Sequence, residues 1–185
     1  MKKLIILLIP VFLLSCSSTE KHTEELIEKI SSSKVELFKN VKIEARDYNN
    51  GVPRAFFFTK ELNGKEYLLP NFLAINCKLE DSLCFKNYTD KNFDIVSFAK
   101  ANNVDRKKAF KYTEEYIESV VKEYEKIGVY KILSSSQIGD CIIFYINQDE
   151  FLAYVQDINK VFNNFWKTNF DKKNKISKKW YYGKI

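Results

Sequence analysis

The chain has 185 residues, of which 45% are hydrophobic and 29% charged, with a formal net charge of +6. This balance is typical of a globular protein and excludes an intrinsically disordered chain, while five glycines and three prolines exclude a collagen-like or low-complexity one. The length allows one domain or at most two small ones. A single histidine excludes a histidine-rich metal site, and the sequence predicts no metal and no cofactor.

The first predicted element is an export signal. Two lysines precede an uninterrupted apolar run from Leu4 to Leu14. These eleven residues would span only about 16 Å as a helix, whereas a bilayer core is about 30 Å thick. A basic start, a short apolar run and then small residues are typical of a secretory signal peptide. The sequence therefore predicts export rather than a membrane-spanning helix.

The end of the apolar run, Leu13-Leu14-Ser15-Cys16, resembles the lipobox of bacterial lipoproteins. The resemblance implies cleavage between Ser15 and Cys16 and a thioether-linked diacylglycerol, with acyl chains such as palmitate, on Cys16. The membrane is then a partner of the chain through this lipid anchor. Ser17 stands where an aspartate would indicate retention in the inner membrane of some Gram-negative bacteria, so the outer membrane is favoured. An ordinary cleaved signal with a chance cysteine is the alternative.

Three further cysteines remain, and an exported protein meets an oxidising environment in which cysteines can pair. Cys77 and Cys84 enclose a short loop, which predicts a disulfide between them, with two unrelated thiols as the alternative. Cys141 begins the apolar run 141–146 and is expected to be a buried free thiol. The cysteine spacing is not that of a zinc site, and His22, the single histidine, lies beside the anchor, so no metal site is predicted.

The first part of the mature chain is predicted to form a short or broken helix followed by strands. Apolar residues recur at helical spacing over 26–38, and alternate with charged residues over 41–45. The aromatic-rich run 54–59 favours a strand. Asn63-Gly64 is a hairpin dipeptide, which predicts a return strand over 66–69.

The clearest predicted helix runs from Asp105 to Ile127. Its apolar stripe includes Phe110 and Tyr124, and Gly128 supplies a stop signal. A strand is predicted over 129–133.

The last third of the chain combines a hairpin, a helix and a final strand. Apolar runs at 141–146 and 151–155 flank a polar turn and predict the hairpin. Asp157 is expected to cap a helix with one apolar face formed by Ile158, Val161, Phe162, Phe165 and Trp166. A lysine- and asparagine-rich loop, 171–179, precedes the last strand.

Helices and antiparallel hairpins occur in separate blocks, so the sequence predicts an α+β fold with one long amphipathic helix and shorter helices. Residues 1–15 are the predicted signal peptide, 16–22 a lipidated tether, and 23–185 a single compact domain.

No catalytic residue is predicted. A Ser-His or Cys-His arrangement needs a histidine that can reach the nucleophile, and His22 lies next to the anchor. The common phosphate and zinc motifs are absent from the sequence. The carboxylate pairs Asp149-Glu150 and Glu114-Glu115 are the remaining enzymatic possibility, and they are expected in a turn and on the solvent side of the long helix.

A basic cluster interleaved with aromatic residues lies near the C-terminus. Its predicted binding residues are Lys172, Lys173, Lys175, Lys178, Lys179 and Trp180. An exported lipoprotein rarely meets nucleic acid, so the expected partners are anionic lipid headgroups, sugar acids or an acidic protein. A solvated loop followed by a core strand is the structural alternative.

The sequence favours a membrane-anchored envelope lipoprotein that binds a protein partner and is not a catalyst. A toxin-immunity protein and an accessory subunit of an envelope machine are two versions of this hypothesis. The alternative is a carboxylate-dependent enzyme acting on envelope glycan or peptide. A spacer that holds the membrane to another layer is a third, structural hypothesis.

Overall fold

The computed structural model describes residues 24–45, 55–62, 65–69, 72–73 and 95–185. The chain divides into two compact units, Met1–Val35 and Glu36–Ile185. In the first unit residues 24–31 are helical. A 3-10 helix, Val35–Phe38, follows in the chain, and the described residues of the second unit form a sheet and three α-helices.

Several sequence predictions lie outside the described residues. They are the cleavage between Ser15 and Cys16, the lipid on Cys16, and the disulfide between Cys77 and Cys84, and they stay predictions. Cys141 is described, and it is a free thiol that is only 3% exposed. Burial, and to a lesser extent the neighbouring Asp140 carboxylate, raises the pKa of Cys141 to about 12. This thiol therefore stays protonated and packs as a small apolar side chain, as predicted.

An antiparallel sheet forms the centre of the second unit. Its strands are β1 (Val41–Ile43), β2 (Ala55–Leu62), β3 (Lys65–Leu68), β4 (Phe72–Leu73), β5 (Lys131–Leu133), β6 (Cys141–Tyr145), β7 (Glu150–Val155) and β8 (Trp180–Lys184). The strands lie in the order β3-β2-β1-β5-β6-β7-β8, and β4 pairs with β2. Both predicted hairpins are confirmed, since β2 pairs with β3 and β6 pairs with β7. Together with its helices, the sheet confirms the α+β fold.

Among the described residues of the second unit, the α-helices are α1 (Ile95–Ala101), α2 (Arg106–Ile127) and α3 (Asn164–Asn169). The prediction for α2 is confirmed at both ends. The side chain of Asp105 accepts a hydrogen bond from the backbone N–H of Lys108, and Gly128 ends the helix in the left-handed conformation with φ of 70°. No helix in the described part of the chain is long and apolar enough to cross a membrane.

The core side of α2 differs from the prediction at two positions. Phe110 is 45% exposed, so its prediction as a core residue is wrong, and Thr113 is fully buried instead. The buried stripe follows Ala109, Thr113 and Ile117, and Phe110 lies about 100° around the helix from Ala109. Burial of the threonine is tolerated because its hydroxyl donates to the Phe110 carbonyl at 2.7 Å.

Helices pack on both faces of the sheet. On one face, the Tyr124 ring of α2 packs edge-on against Phe56 of β2, with centroids 5.9 Å apart. On the other face, the Trp166 ring of α3 packs edge-on against Phe151 of β7 at 5.1 Å. The faces are opposite because the strand register places Phe56 in one row with Leu152, the neighbour of Phe151.

The predicted helix starting at Asp157 is wrong. Asp157 caps only a single 3-10 turn, Ile158–Lys160. Val161 is extended and forms an isolated bridge with Gly139, and the backbone N–H of Asp140 donates to the Lys160 carbonyl at 3.0 Å. Pairing with a distant segment therefore satisfies backbone groups that the predicted helix would have used internally.

A new helix, α3, begins after this bridge. The side chain of Asn163 accepts from the backbone N–H of Trp166 at 3.2 Å and so caps its first turn. Trp166 is buried as predicted, but Phe162 is 67% exposed and Phe165 is 51% exposed. The predicted apolar face is thus divided between core and surface.

Candidate functional site

The lysine-rich segment folds as a turn fixed to the C-terminal end of α3. Asp171 accepts hydrogen bonds from the backbone N–H groups of Lys173 and Asn174, at 2.9 and 3.2 Å, and so starts the 3-10 helix Lys172–Asn174. The side-chain amide of Asn174 donates to the carbonyl of Asn169 at 2.8 Å. These bonds hold the backbone beneath the lysines in one conformation.

Three of the predicted binding residues belong to this turn. Lys172, Lys173 and Lys175 are all exposed. The ammonium group of Lys175 lies 5.9 Å from the centroid of the Tyr181 ring, and Tyr181 packs against Phe170 at the end of α3. The lysines of the turn therefore lie on the α3 side of the sheet. Lys178, which follows them, is also exposed.

Lys179 and Trp180 are directed to the opposite face. Lys179 Nζ donates to the Tyr154 hydroxyl at 3.1 Å, and this bond, more than the carboxylates nearby, raises the pKa of the lysine. Trp180 is 7% exposed, and its ring lies 5.3 Å from that of Tyr154 and 6.1 Å from that of Phe144. The structure therefore does not bring all six predicted residues together, and the indole of Trp180 belongs to the core.

Two exposed phenylalanines, Phe162 and Phe165, lie at the other end of α3, although the sequence pattern placed both on the apolar face of a helix. The backbone N–H of Phe162 donates to the Ile138 carbonyl at 3.1 Å, which fixes its position. The Phe165 ring packs edge-on against Trp166 at 5.1 Å. The signal that could have identified Phe162 is Asn163, a favoured N-cap residue, because a helix that starts there leaves Phe162 outside it.

The net positive charge of the chain is concentrated in its C-terminal segment. Residues 157–185 contain eight lysines and two aspartates, so this segment alone accounts for the net charge of +6. Lys173 has Asp171 at 3.6 Å, but both side chains are well exposed and such a pair contributes at most about 1 kcal/mol. In the described part of the chain, no carboxylate lies within ion-pair distance of Lys172, Lys175 or Lys178.

The carboxylate of Glu150 is held in a hydrogen-bond network between the β6–β7 turn and β8. It accepts from Lys184 Nζ at 2.7 Å, from the Tyr182 hydroxyl at 2.8 Å and from the Asn147 side-chain amide at 2.8 Å. These hydrogen bonds, led by that of Lys184, lower the pKa of Glu150 to about 2. Its neighbour Asp149 is exposed in the turn. The geometry of Glu150 is thus that of a structural group that is ionised at neutral pH.

Replacement of Glu150 with glutamine is expected to reduce the free energy of unfolding at pH 7 by about 1–2 kcal/mol. The folded pKa lies below the ordinary value near 4.5, so the carboxylate stabilises the fold fully above pH 4.5. This contribution is lost as the pH falls from about 4.5 towards 2. Urea unfolding of wild type and variant across this range measures it, with Asp149→Asn as the control. A difference between wild type and Glu150→Gln that does not shrink on acidification would contradict the assignment.

The other acidic groups are dispersed. Glu115 lies on the exposed side of α2, 3.6 Å from Lys111. Asp140 pairs with Lys39 at 3.1 Å, beside a cleft of about 10 Å³ that has room for one water molecule. Among the residues that the structure describes, no group of three histidine, cysteine, aspartate or glutamate side chains is placed to hold a metal ion.

The surface that emerges is defined by the exposed aromatic and basic side chains at the two ends of α3, and we name it the α3 surface. It consists of Phe162, Phe165, Lys172, Lys173 and Lys175.

Comparison with known proteins found no matching protein-family model, no matching curated protein and no matching solved structure.

Proposed function

We propose that this chain is an exported, lipid-anchored protein of the cell envelope that acts by binding an anionic partner through the α3 surface. The observation that carries the binding role is the set of exposed lysines on a turn whose backbone is fixed by Asp171 and Asn174. The anchor rests on the resemblance of residues 1–16 to lipoprotein signals. Ser17, in place of aspartate, favours the outer membrane.

The lysine turn suits binding because its backbone is already ordered before a partner binds. A flexible lysine-rich loop would lose conformational entropy when a partner ordered it. Here the backbone of Lys172 and Lys173 is already ordered by the hydrogen bonds of Asp171 and by the contact of Asn174 with α3. The partner therefore has to order only the lysine side chains.

The anchor and the basic surface support one another physically. A single acyl chain holds a protein on a membrane only reversibly, whereas two or more chains, or one chain with a basic patch, give stable attachment. A diacylated Cys16 would keep the chain at the membrane and raise the local concentration of any envelope ligand near the α3 surface.

Replacement of Cys16 with alanine is expected to abolish acylation and processing. Cells that express the full chain would be fed a clickable fatty acid, and the protein would be examined by fluorescence and intact mass. Wild type should carry the label and lack residues 1–15, whereas Cys16→Ala should be unlabelled and keep them. Ser17→Ala, a neighbouring change that leaves the thiol in place, is the matched control and should be labelled. A Cys16→Ala protein that is processed and membrane-bound like wild type would overturn the lipoprotein assignment.

A further inference from the structure

We propose that the partner of the α3 surface is an anionic lipid bilayer, the one to which Cys16 anchors the chain. Phe162 and Phe165 would enter the headgroup layer, and the lysines of the turn would contact lipid phosphates. This inference rests on the proposed function, which supplies the membrane, and it names the ligand class of the same surface.

The two phenylalanines favour a bilayer over a purely polar ligand. Phe162, at 67%, is the most exposed large apolar side chain among the described residues, and Phe165 is 51% exposed. Both occupy fixed positions, through the Ile138 contact and the Trp166 ring respectively. Exposed apolar patches rimmed by polar residues mark interaction sites with proteins or membranes. A bilayer offers them apolar volume directly beneath its charged layer.

The lysines lie close enough to act in the same contact. The aromatic pair and the lysine turn lie at the two ends of α3, whose six residues span only about 9 Å along the helix axis. Lys167, between them on α3, is also exposed. Each lysine near an anionic membrane surface strengthens attachment about fivefold. A sugar acid would account for the lysines but offers no apolar volume to the neighbouring phenylalanines, and an acidic protein partner is an outcome that the tests below distinguish from a bilayer.

The two tryptophans of the chain provide a direct readout. Trp166 lies beneath Phe165 on the α3 side of the sheet, while Trp180 packs against Phe144 on the opposite face. The two indoles are similarly buried, at 5% and 7% exposure. A bilayer that covers the α3 surface should therefore approach Trp166 and leave Trp180 distant.

The test uses the full processed and acylated chain, reconstituted in vesicles of brominated phosphatidylcholine with or without phosphatidylglycerol. Trp180→Phe leaves Trp166 as the fluorophore, and Trp166→Phe leaves Trp180. Bromine should quench Trp166 strongly in the vesicles that contain phosphatidylglycerol and weakly in the others. The emission of Trp180 should be the same in both. Equal quenching of the two tryptophans, or no quenching of either, would overturn the proposal.

Surface variants test which side chains make the contact. Phe162→Ser with Phe165→Ser should abolish the quenching of Trp166, whereas Phe110→Ser, an exposed position on α2, should leave it unchanged. Lys172→Gln with Lys173→Gln should weaken docking about fivefold for each lysine. Lys107→Gln with Lys108→Gln is the matched control. Equal effects of site and control variants would overturn the proposal.

Failure of this inference is distinguishable from failure of the proposed function. If Cys16 is not acylated, the mass of the protein lacks the lipid, whatever the tryptophans report. If the anchor is present but the α3 surface does not dock, the acylated chain stays on the vesicles with Trp166 unquenched. The second result would point to a protein or glycan partner and would contradict the bilayer assignment.

Discussion

Alanine at Gly139 is expected to lower the free energy of unfolding by about 3 kcal/mol. The φ of Gly139 is +103°, which L side chains rarely adopt, and an added Cβ would overlap the Lys160 carbonyl oxygen and lie 2.7 Å from Val161 Cα. Both neighbouring atoms belong to the backbone, so a change of rotamer cannot relieve the overlap. The bridge between Gly139 and Val161 should open, and Phe162, which follows it, should lose its fixed position.

Urea unfolding of the full processed chain measures this effect. The midpoint should fall, while the dependence of the free energy on urea concentration stays the same. Gly128→Ala is the matched control because Gly128 also has a positive φ, 70°, at the end of α2. That conformation is more accessible to alanine, and the expected cost is about 1 kcal/mol. Equal costs at the two glycines would contradict the close backbone contact at Gly139.

Replacement of Trp166 with alanine is expected to cost about 3–5 kcal/mol. Its ring is 5% exposed and packs against Phe151 at 5.1 Å, Phe170 at 5.8 Å and Tyr145 at 6.3 Å. A helix as short as α3 is not stable by itself in water, so it depends on this contact for its position. The variant should therefore also lose the α3 surface as an ordered unit.

The control for this change is Phe162→Ala, two positions before α3 begins. Since Phe162 is 67% exposed, its removal should change the free energy of unfolding by no more than about 0.5 kcal/mol. Near-ultraviolet circular dichroism should show loss of the aromatic signal for Trp166→Ala alone. A cost below about 1 kcal/mol for Trp166→Ala would contradict the packing of α3 described above.

Local signals predicted much of the fold. The helical period of apolar residues and the Gly128 stop predicted α2, whose first turn Asp105 caps in the structure. The dipeptide Asn63-Gly64 separates two β-favouring runs by two residues, and Leu62 indeed lies opposite Lys65. In these cases the residues that determine the structure are close together in the sequence.

Predictions failed where distant segments determine the local structure. The apolar residues after Asp157 fit a helical pattern, but Val161 pairs with Gly139 and interrupts it. Phe110 fits the apolar stripe of α2 by its chemistry, yet the rotation of the helix on the sheet buries Thr113 instead. Sequence periodicity predicts neither the pairing of Val161 with Gly139 nor the rotation of α2 on the sheet, because both depend on tertiary packing.

The candidate site was predicted only in part. Sequence composition identified the lysine-rich segment, and the structure places Lys172, Lys173 and Lys175 on one exposed turn. The same composition grouped Trp180 with them because it is adjacent to the lysines in the sequence. Composition does not show that the packing of β8 places the Trp180 indole in the core. The aromatic half of the α3 surface was missed, since phenylalanine at helical spacing is more often a core residue.

Photocrosslinking in cells is the most direct test of the central claim, that the α3 surface faces an anionic bilayer. A photoreactive amino acid would replace Phe162 in the full anchored chain and, as a control, Phe110 on α2. Mass spectrometry of the irradiated protein should find phospholipid attached at position 162 and none at position 110. The lipid adduct should decrease when Lys172 and Lys173 are changed to glutamine. A stoichiometric protein adduct at position 162, with no lipid, would contradict the account.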